Sequence, residues 1–141
     1  MIGLEDEVDT ILEYHFHVYW MWNDEATERA AHALIDGAKE RGIGLPLRLN
    51  TKPVGPHQLG SCEVWVPIEW FAKAYSYFAL RRPAGVSVLL HPLTRNEIID
   101  HSHRAVWFGQ PAPLKLSALK EKLDELPAQY PELGLGYSKK K

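Results

Sequence analysis

Glu13-Tyr14-His15-Phe16-His17-Val18-Tyr19-Trp20-Met21 alternates along its whole length. Tyr14, Phe16, Val18 and Trp20 fall on one side, and His15, His17, Tyr19 and Met21 on the other. A period of two in aromatic and β-branched residues reads as a strand. One face is apolar and ready to pack on helices; the other carries a pair of histidines.

The elements around it follow in order. Asn23-Asp24 offers an N-cap, Glu25 and Glu28 suit a first helical turn, and Arg41-Gly42 supplies a stop. Ala26, Ala30, Ala33, Leu34 and Ala38 form the expected buried stripe of that helix. Leu45, Leu47 and Leu49 predict a short second strand, which runs into the loop Thr51 to His57. Ser61 to Val66 predicts a third strand, and Ile68 to Leu80 a helix with Phe71, Tyr75 and Phe78 on one side. The apolar run Val86 to Leu90 predicts a strand buried on both faces. A short helical turn from Asn96 to Ile99 leads to His101-Ser102-His103, then a fifth strand at Ala105 to Phe108 and a last helix from Ser117 to about Leu126.

This order, β-α-β-β-α-β with an added strand and helix, predicts an α+β fold with a ferredoxin-like antiparallel sheet. Residues 13–126 are expected to form a single domain, 1–12 a flexible N-terminus and 127–141 a frayed tail. The 141-residue length suits one core. A net charge of -2 supplies no broad basic surface for nucleic acid, and the third strand lacks the basic-glycine-aromatic signature of an RNA-binding module. No apolar run is long enough to span a membrane. One cysteine, Cys62, and an acidic start point to a reducing compartment, the cytoplasm.

Seven histidines against that one cysteine direct attention to metal binding and proton transfer. With the first and third strands central and taken as parallel, His15, His57 and His91 are expected to meet at one end of the sheet, His17 sharing the face of His15. His101 and His103 follow closely enough to fold back toward them; His32, on the first helix, does not. Neutral imidazoles suit zinc, copper, iron and nickel, and the lack of a Cys-X-X-Cys pair argues against a closed structural zinc site. Glu63 is the nearest carboxylate, though a solvated strand residue is its simpler reading, and Asp100 is expected to orient a neighbouring histidine.

Four stretches together resemble the DOPA 4,5-dioxygenase family: His15-Phe16-His17-Val18-Tyr19, Pro53-Val54-Gly55-Pro56-His57, Val88-Leu89-Leu90-His91-Pro92, and Asp100-His101 followed by Ala105-Val106-Trp107-Phe108-Gly109. The resemblance covers about Tyr14 to Leu116, and it carries His15, His17, His57, His91 and His101 over as functional, leaving out His32 and His103. The family pattern often has a histidine where this chain has Arg104, and Glu63 is not part of it. The resemblance implies a small, often dimeric ferredoxin-like enzyme that opens the ring of a catechol such as L-DOPA (extradiol cleavage), using non-haem Fe(II) and dioxygen. Zinc or another divalent metal is the expected substitute in a crystal. On that reading the metal ligands come from His15, His17, His57 and His91, while His57 or His101 exchanges protons. Arg48 or Arg104 holds a substrate carboxylate, and Tyr19 and Trp65 wall the ring. A homodimer covering the aromatic face is expected by analogy of fold. The competing reading is a non-catalytic dimeric protein that binds a metal or small ligand with the same histidines.

Overall fold

The computed structural model describes residues 11–46, 49–127 and 129–139. Strand β1 (Glu13–Trp20) leads to helix α1 (Glu25–Glu40), a short β2 (Leu45–Pro46), then β3 (Gly60–Pro67). A 3-10 turn at Ile68–Trp70 opens helix α2 (Phe71–Arg81). Strand β4 (Ser87–Pro92), a one-turn α3 (Glu97–Asp100) and β5 (Val106–Phe108) complete the regular elements before two isolated 3-10 turns. The sheet order is β2-β3-β1-β4-β5, and each neighbouring pair is antiparallel.

The first and third strands therefore run in opposite directions, against the expectation that they were parallel. Tyr14 faces Val66, and Val18 faces Cys62. The reason lies in the connections. Helix α1 returns the chain so that β2 runs with β1, and β3, paired antiparallel to β2, must then oppose both. The loop between β2 and β3 thus rejoins the sheet where Gly60 faces Trp20, at the far end from His15.

Asp24 caps α1 as expected, its Oδ1 accepting from Ala26 N–H at 3.0 Å and Thr27 N–H at 3.1 Å. The buried stripe is Ala31, Leu34, Ile35 and Ala38, while Ala26 and Ala33 face solvent. Rotating the helix this way sinks the larger Ile35 in place of an alanine. On α2 the buried residues are Ala74, Tyr77 and Phe78; Tyr75 is exposed and packs its ring edge on Phe108. Both helices cover one face of the sheet. There Phe16, Val18, Trp20, Val64, Val66, Val88 and Leu90 join the helix residues in a single core. Phe16 stacks on Phe78 with ring centres 4.8 Å apart.

Two expectations about the C-terminal part fail. No helix forms between Ser117 and Leu126 beyond a 3-10 turn at Leu116–Ala118. The backbone there bonds elsewhere: Leu123 N–H donates to Arg95 C=O at 2.6 Å, and Lys120 N–H to Glu97 Oε2 at 2.9 Å. Groups committed across the fold cannot close a helical ladder. Nor is the described tail, 129–139, frayed. Tyr130 is buried and its hydroxyl donates to Trp65 C=O, while Tyr137 Oη donates to Leu93 C=O at 2.5 Å.

Leu47 of the expected second strand, and Arg48, lie outside the described residues. Among the described residues no helix is long and apolar enough to cross a membrane.

Candidate functional site

The alternation of β1 sends His15, His17 and Tyr19 to the face opposite the helices, as the sequence predicts. That face is not open. His15, His17, Tyr19, Leu89 and His91 are all buried, covered by the chain's own loops. The β2–β3 loop is held down through a bridge between His57 and Leu114 and by Lys115 N–H donating to Pro56 C=O at 2.8 Å. The turn around α3 brings His101 in, and the tail adds Gln129. An exposed aromatic face was the ground for expecting a second copy over it; a single chain already covers it.

Five histidines meet under this cover. Register pairs His15 with His91 across β1 and β4. His57 arrives from the far end of the sheet, its ring 4.5 Å from that of His17, so the cluster lies across the middle of the face and not at one end. The ring of His101 sits 4.0 Å from that of His91. Ring nitrogens of His15, His17 and His91 lie within 4.8 Å of one another, as do those of His17, His57 and His101. A cavity of about 190 Å3 opens among them, with Glu63 and Leu119 on its wall. It is smaller than the roughly 300–1,000 Å3 of drug-sized pockets, so it suits one small ring and not a large ligand.

Most of these rings are fixed by a partner beyond the cluster. His15 Nδ1 is 3.1 Å from Glu63 Oε1, and its Nε2 is 3.0 Å from Gln129 Oε1. His91 Nδ1–H donates to Pro92 C=O at 2.7 Å, and His101 Nδ1–H to Glu97 C=O at 2.8 Å. His57 Nδ1 shares a hydrogen bond with Tyr19 Oη at 2.6 Å. His17 Nε2 and His91 Nε2 are 2.8 Å apart, and His17 Nδ1 is buried without a partner. Outer partners of this kind hold ligating imidazoles in one tautomer and orientation.

Electrostatics keep four of these histidines, His15, His17, His57 and His91, uncharged. Burial pushes the pKa of His17 and His91 well below the usual imidazole value, and neighbouring histidines push it further. Burial brings His57 down to about 4 and lowers His15 as well, outweighing the opposing effect of Glu63. Burial also raises Tyr19, which therefore stays a neutral phenol. Neutral rings keep a lone pair, which is what a transition metal requires. Uncharged nitrogen donors, one of them an orphaned buried nitrogen, fit such a metal.

The remaining expected site residues divide. Trp65 stacks on His15 with ring planes 18° apart, and its Nε1–H donates to Glu63. Tyr19 fixes His57 instead of presenting a free wall. Arg104 Nη1 donates to Asp100 Oδ1 and to Thr94 Oγ1, both at 3.1 Å. Asp100 takes Thr94 N–H and Oγ1–H besides, and so holds the turn that carries His101. His103 is exposed. His32 lies edge-on to Trp20 on the other side of the sheet. Gln129 and Tyr130 escape a reading of the sequence, because nothing local in Ala128-Gln129-Tyr130-Pro131 signals a contact with β1 or β3.

Fold and site define a class: a small α+β protein whose antiparallel sheet carries a histidine cluster with the spacing to hold a metal. The chain belongs to the Dopa 4,5-dioxygenase family, whose pattern matches residues 14–118. It is 44% identical over 145 residues to a DOPA 4,5-dioxygenase of Amanita muscaria, covering 95% of this chain and 63% of that protein. An uncharacterized 21.2 kDa protein of Botryotinia fuckeliana is 28% identical over 76% of this chain and 63% of its own length. The chain thus spans a little under two thirds of these relatives. A crystal structure from Nostoc punctiforme, described as a "putative dioxygenase", superposes with a TM-score of 0.71 at 30% identity, over 77% of this chain and 90% of that one.

Proposed function

We propose that this protein is a metal-dependent dioxygenase that opens the ring of a catechol such as L-DOPA by extradiol cleavage, on a ferredoxin-like scaffold. The observation that carries the reading is the cluster of histidines gathered around a cavity sized for one ring. The family match and the Amanita relative supply the substrate class. The strand order and the two helices on one face support the scaffold.

Three of His15, His17, His57, His91 and His101 hold the metal, which we take to be Fe(II), with zinc able to replace it. When bound, it would supply Lewis acidity toward the catechol oxygens and a place for dioxygen. The protein does the rest. The cavity orients the ring beside the imidazoles and excludes water, so proximity is a large part of its contribution. A neutral imidazole outside the ligand set accepts a catechol hydroxyl proton and can return it later. Trp65 holds the His15 ring in place by stacking. The single cysteine suits the cytoplasm, and a homodimer would have to use a surface other than the histidine face.

The test is oxygen uptake by the Fe(II)-loaded protein with L-DOPA and a panel of other catechols, followed beside the yellow ring-opened product. Uptake matched by product is expected. Tight metal binding with no uptake from any catechol would favour the non-catalytic binding protein instead.

A further inference from the structure

The ring nitrogens of the cluster can be assigned in turn, and the assignment separates ligands from supports. A carbonyl oxygen only accepts, so His91 Nδ1 carries a hydrogen for Pro92 C=O. The neutral ring then has its lone pair on Nε2, where it accepts from His17 Nε2–H at 2.8 Å. Both nitrogens of His91 are used. His17 is left with a bare Nδ1, a buried nitrogen that has no hydrogen-bond partner among the described residues. His101 spends Nδ1–H on Glu97 C=O and keeps Nε2. His57 shares Nδ1 with Tyr19 Oη, and in the tautomer whose Nδ1–H donates to the phenol oxygen its lone pair lies on Nε2.

His15 differs from all of these. Glu63 faces its Nδ1 at 3.1 Å and the Gln129 amide faces its Nε2 at 3.0 Å. A neutral ring donates at one nitrogen and accepts at the other, and the amide can present oxygen or nitrogen, so neither position is left for a metal at roughly 2.0–2.1 Å. Gln129 is itself anchored. Tyr130 beside it is buried with its hydroxyl on Trp65 C=O, and further along Gly136 N–H donates to Glu69 Oε1 at 3.0 Å.

The nitrogens left over belong to His17, His57 and His101, and these three residues are one of the two sets whose ring nitrogens lie within 4.8 Å of each other. We propose, resting on the metal-dependent reading above, that His17, His57 and His101 are the metal ligands and that His15 and His91 are positioning groups. Gln129, on a segment beyond the reach of the family match, is then the residue that keeps His15 out of the ligand set. His15 remains on the cavity wall beside Glu63, both of its ring nitrogens engaged.

The experiment loads the full chain with a spin-half cadmium isotope after labelling the histidine ring nitrogens, and reads nitrogen–cadmium couplings by NMR. It uses the unaltered protein, so it does not depend on any variant folding. Couplings at His17, His57 and His101, with none at His15 or His91, are expected. A coupling at His15 or His91 would overturn the assignment while leaving a metal site in place. Failure of the unaltered protein to bind cadmium, zinc or Fe(II) would overturn the metal-dependent reading and the assignment with it. Metal titrations add a second measure. His15→Gln and Gln129→Ala are expected to stay within roughly tenfold of the unaltered affinity, the low end for outer partners, and His101→Ala to lose more than about a hundredfold. Equal losses for His15→Gln and His101→Ala would sink the proposal.

Discussion

Replacing Glu13 with glutamine removes a charge that the fold holds at a cost. Glu13 begins β1 opposite Pro67, and its side chain is sealed from solvent. Oε1 accepts from Tyr137 N–H at 3.3 Å, while Oε2 has no partner among the described residues. Burial, helped by the negative charge of Glu69, raises its pKa from 4.5 to about 7, against the lowering effect of the Tyr137 N–H. Between those values the folded state keeps a proton that the unfolded chain has released. Stability therefore falls as pH rises through that window and is fully retained below it. The gap from 4.5 to about 7 corresponds to on the order of 3 kcal/mol, at roughly 1.4 kcal/mol per pH unit. Glu13→Gln cannot ionise, so its stability relative to the unaltered protein should climb by about 3 kcal/mol between about pH 4 and pH 8. Urea unfolding of both metal-free proteins across that range measures the difference, and shared titrations elsewhere cancel. A difference that stays flat within roughly 0.5 kcal/mol would refute the reasoning.

Phe78→Ala should cost about 3–5 kcal/mol, because the ring is wholly buried and stacked on Phe16; the urea midpoint should drop with its slope unchanged. Gly60→Ala should cost about 1–3 kcal/mol, since a Cβ there would run into the fully buried Trp20 indole, and the near-ultraviolet circular dichroism of the tryptophans should change with it. Asp100→Ala strands the Arg104 guanidinium and the Thr94 N–H beside a buried site. A loss of about 3–5 kcal/mol in urea unfolding is expected, with weaker metal binding in a titration because the His101 turn loosens. Unchanged metal affinity in that variant would mean that the turn holds without its carboxylate.

How far the sequence reaches depends on the distance over which each feature is set. The faces of β1 were legible because alternation is a property of neighbouring residues, and the Asp24 cap was legible because its partners lie two and three residues away. The same local logic brought His15, His17 and His91 to one face, and separated His32 from them. It went wrong where the backbone had a choice of partners. Ser117 to Leu126 has the composition of a helix, yet Leu123 bonds to Arg95 and the helix is lost. The pairing of Arg104 with Asp100, four residues earlier across the α3 turn, was likewise not read from the sequence.

By itself, then, the sequence singled out the candidates for the proposed chemistry: five histidines spread over β1, one loop, β4 and one turn. Only the tertiary structure decided what each of them can do. The direction of β3 sends the loop of His57 across the middle of the sheet instead of gathering it at one end. The cover laid by the chain's own loop, turn and tail strips water from His15, His17, His57 and His91 and keeps them neutral. A ring nitrogen becomes a ligand or a support according to which carbonyl, phenol, carboxylate or amide lies within about 3 Å of it. For His15 those groups are Glu63 and Gln129, the latter 114 residues away in the chain.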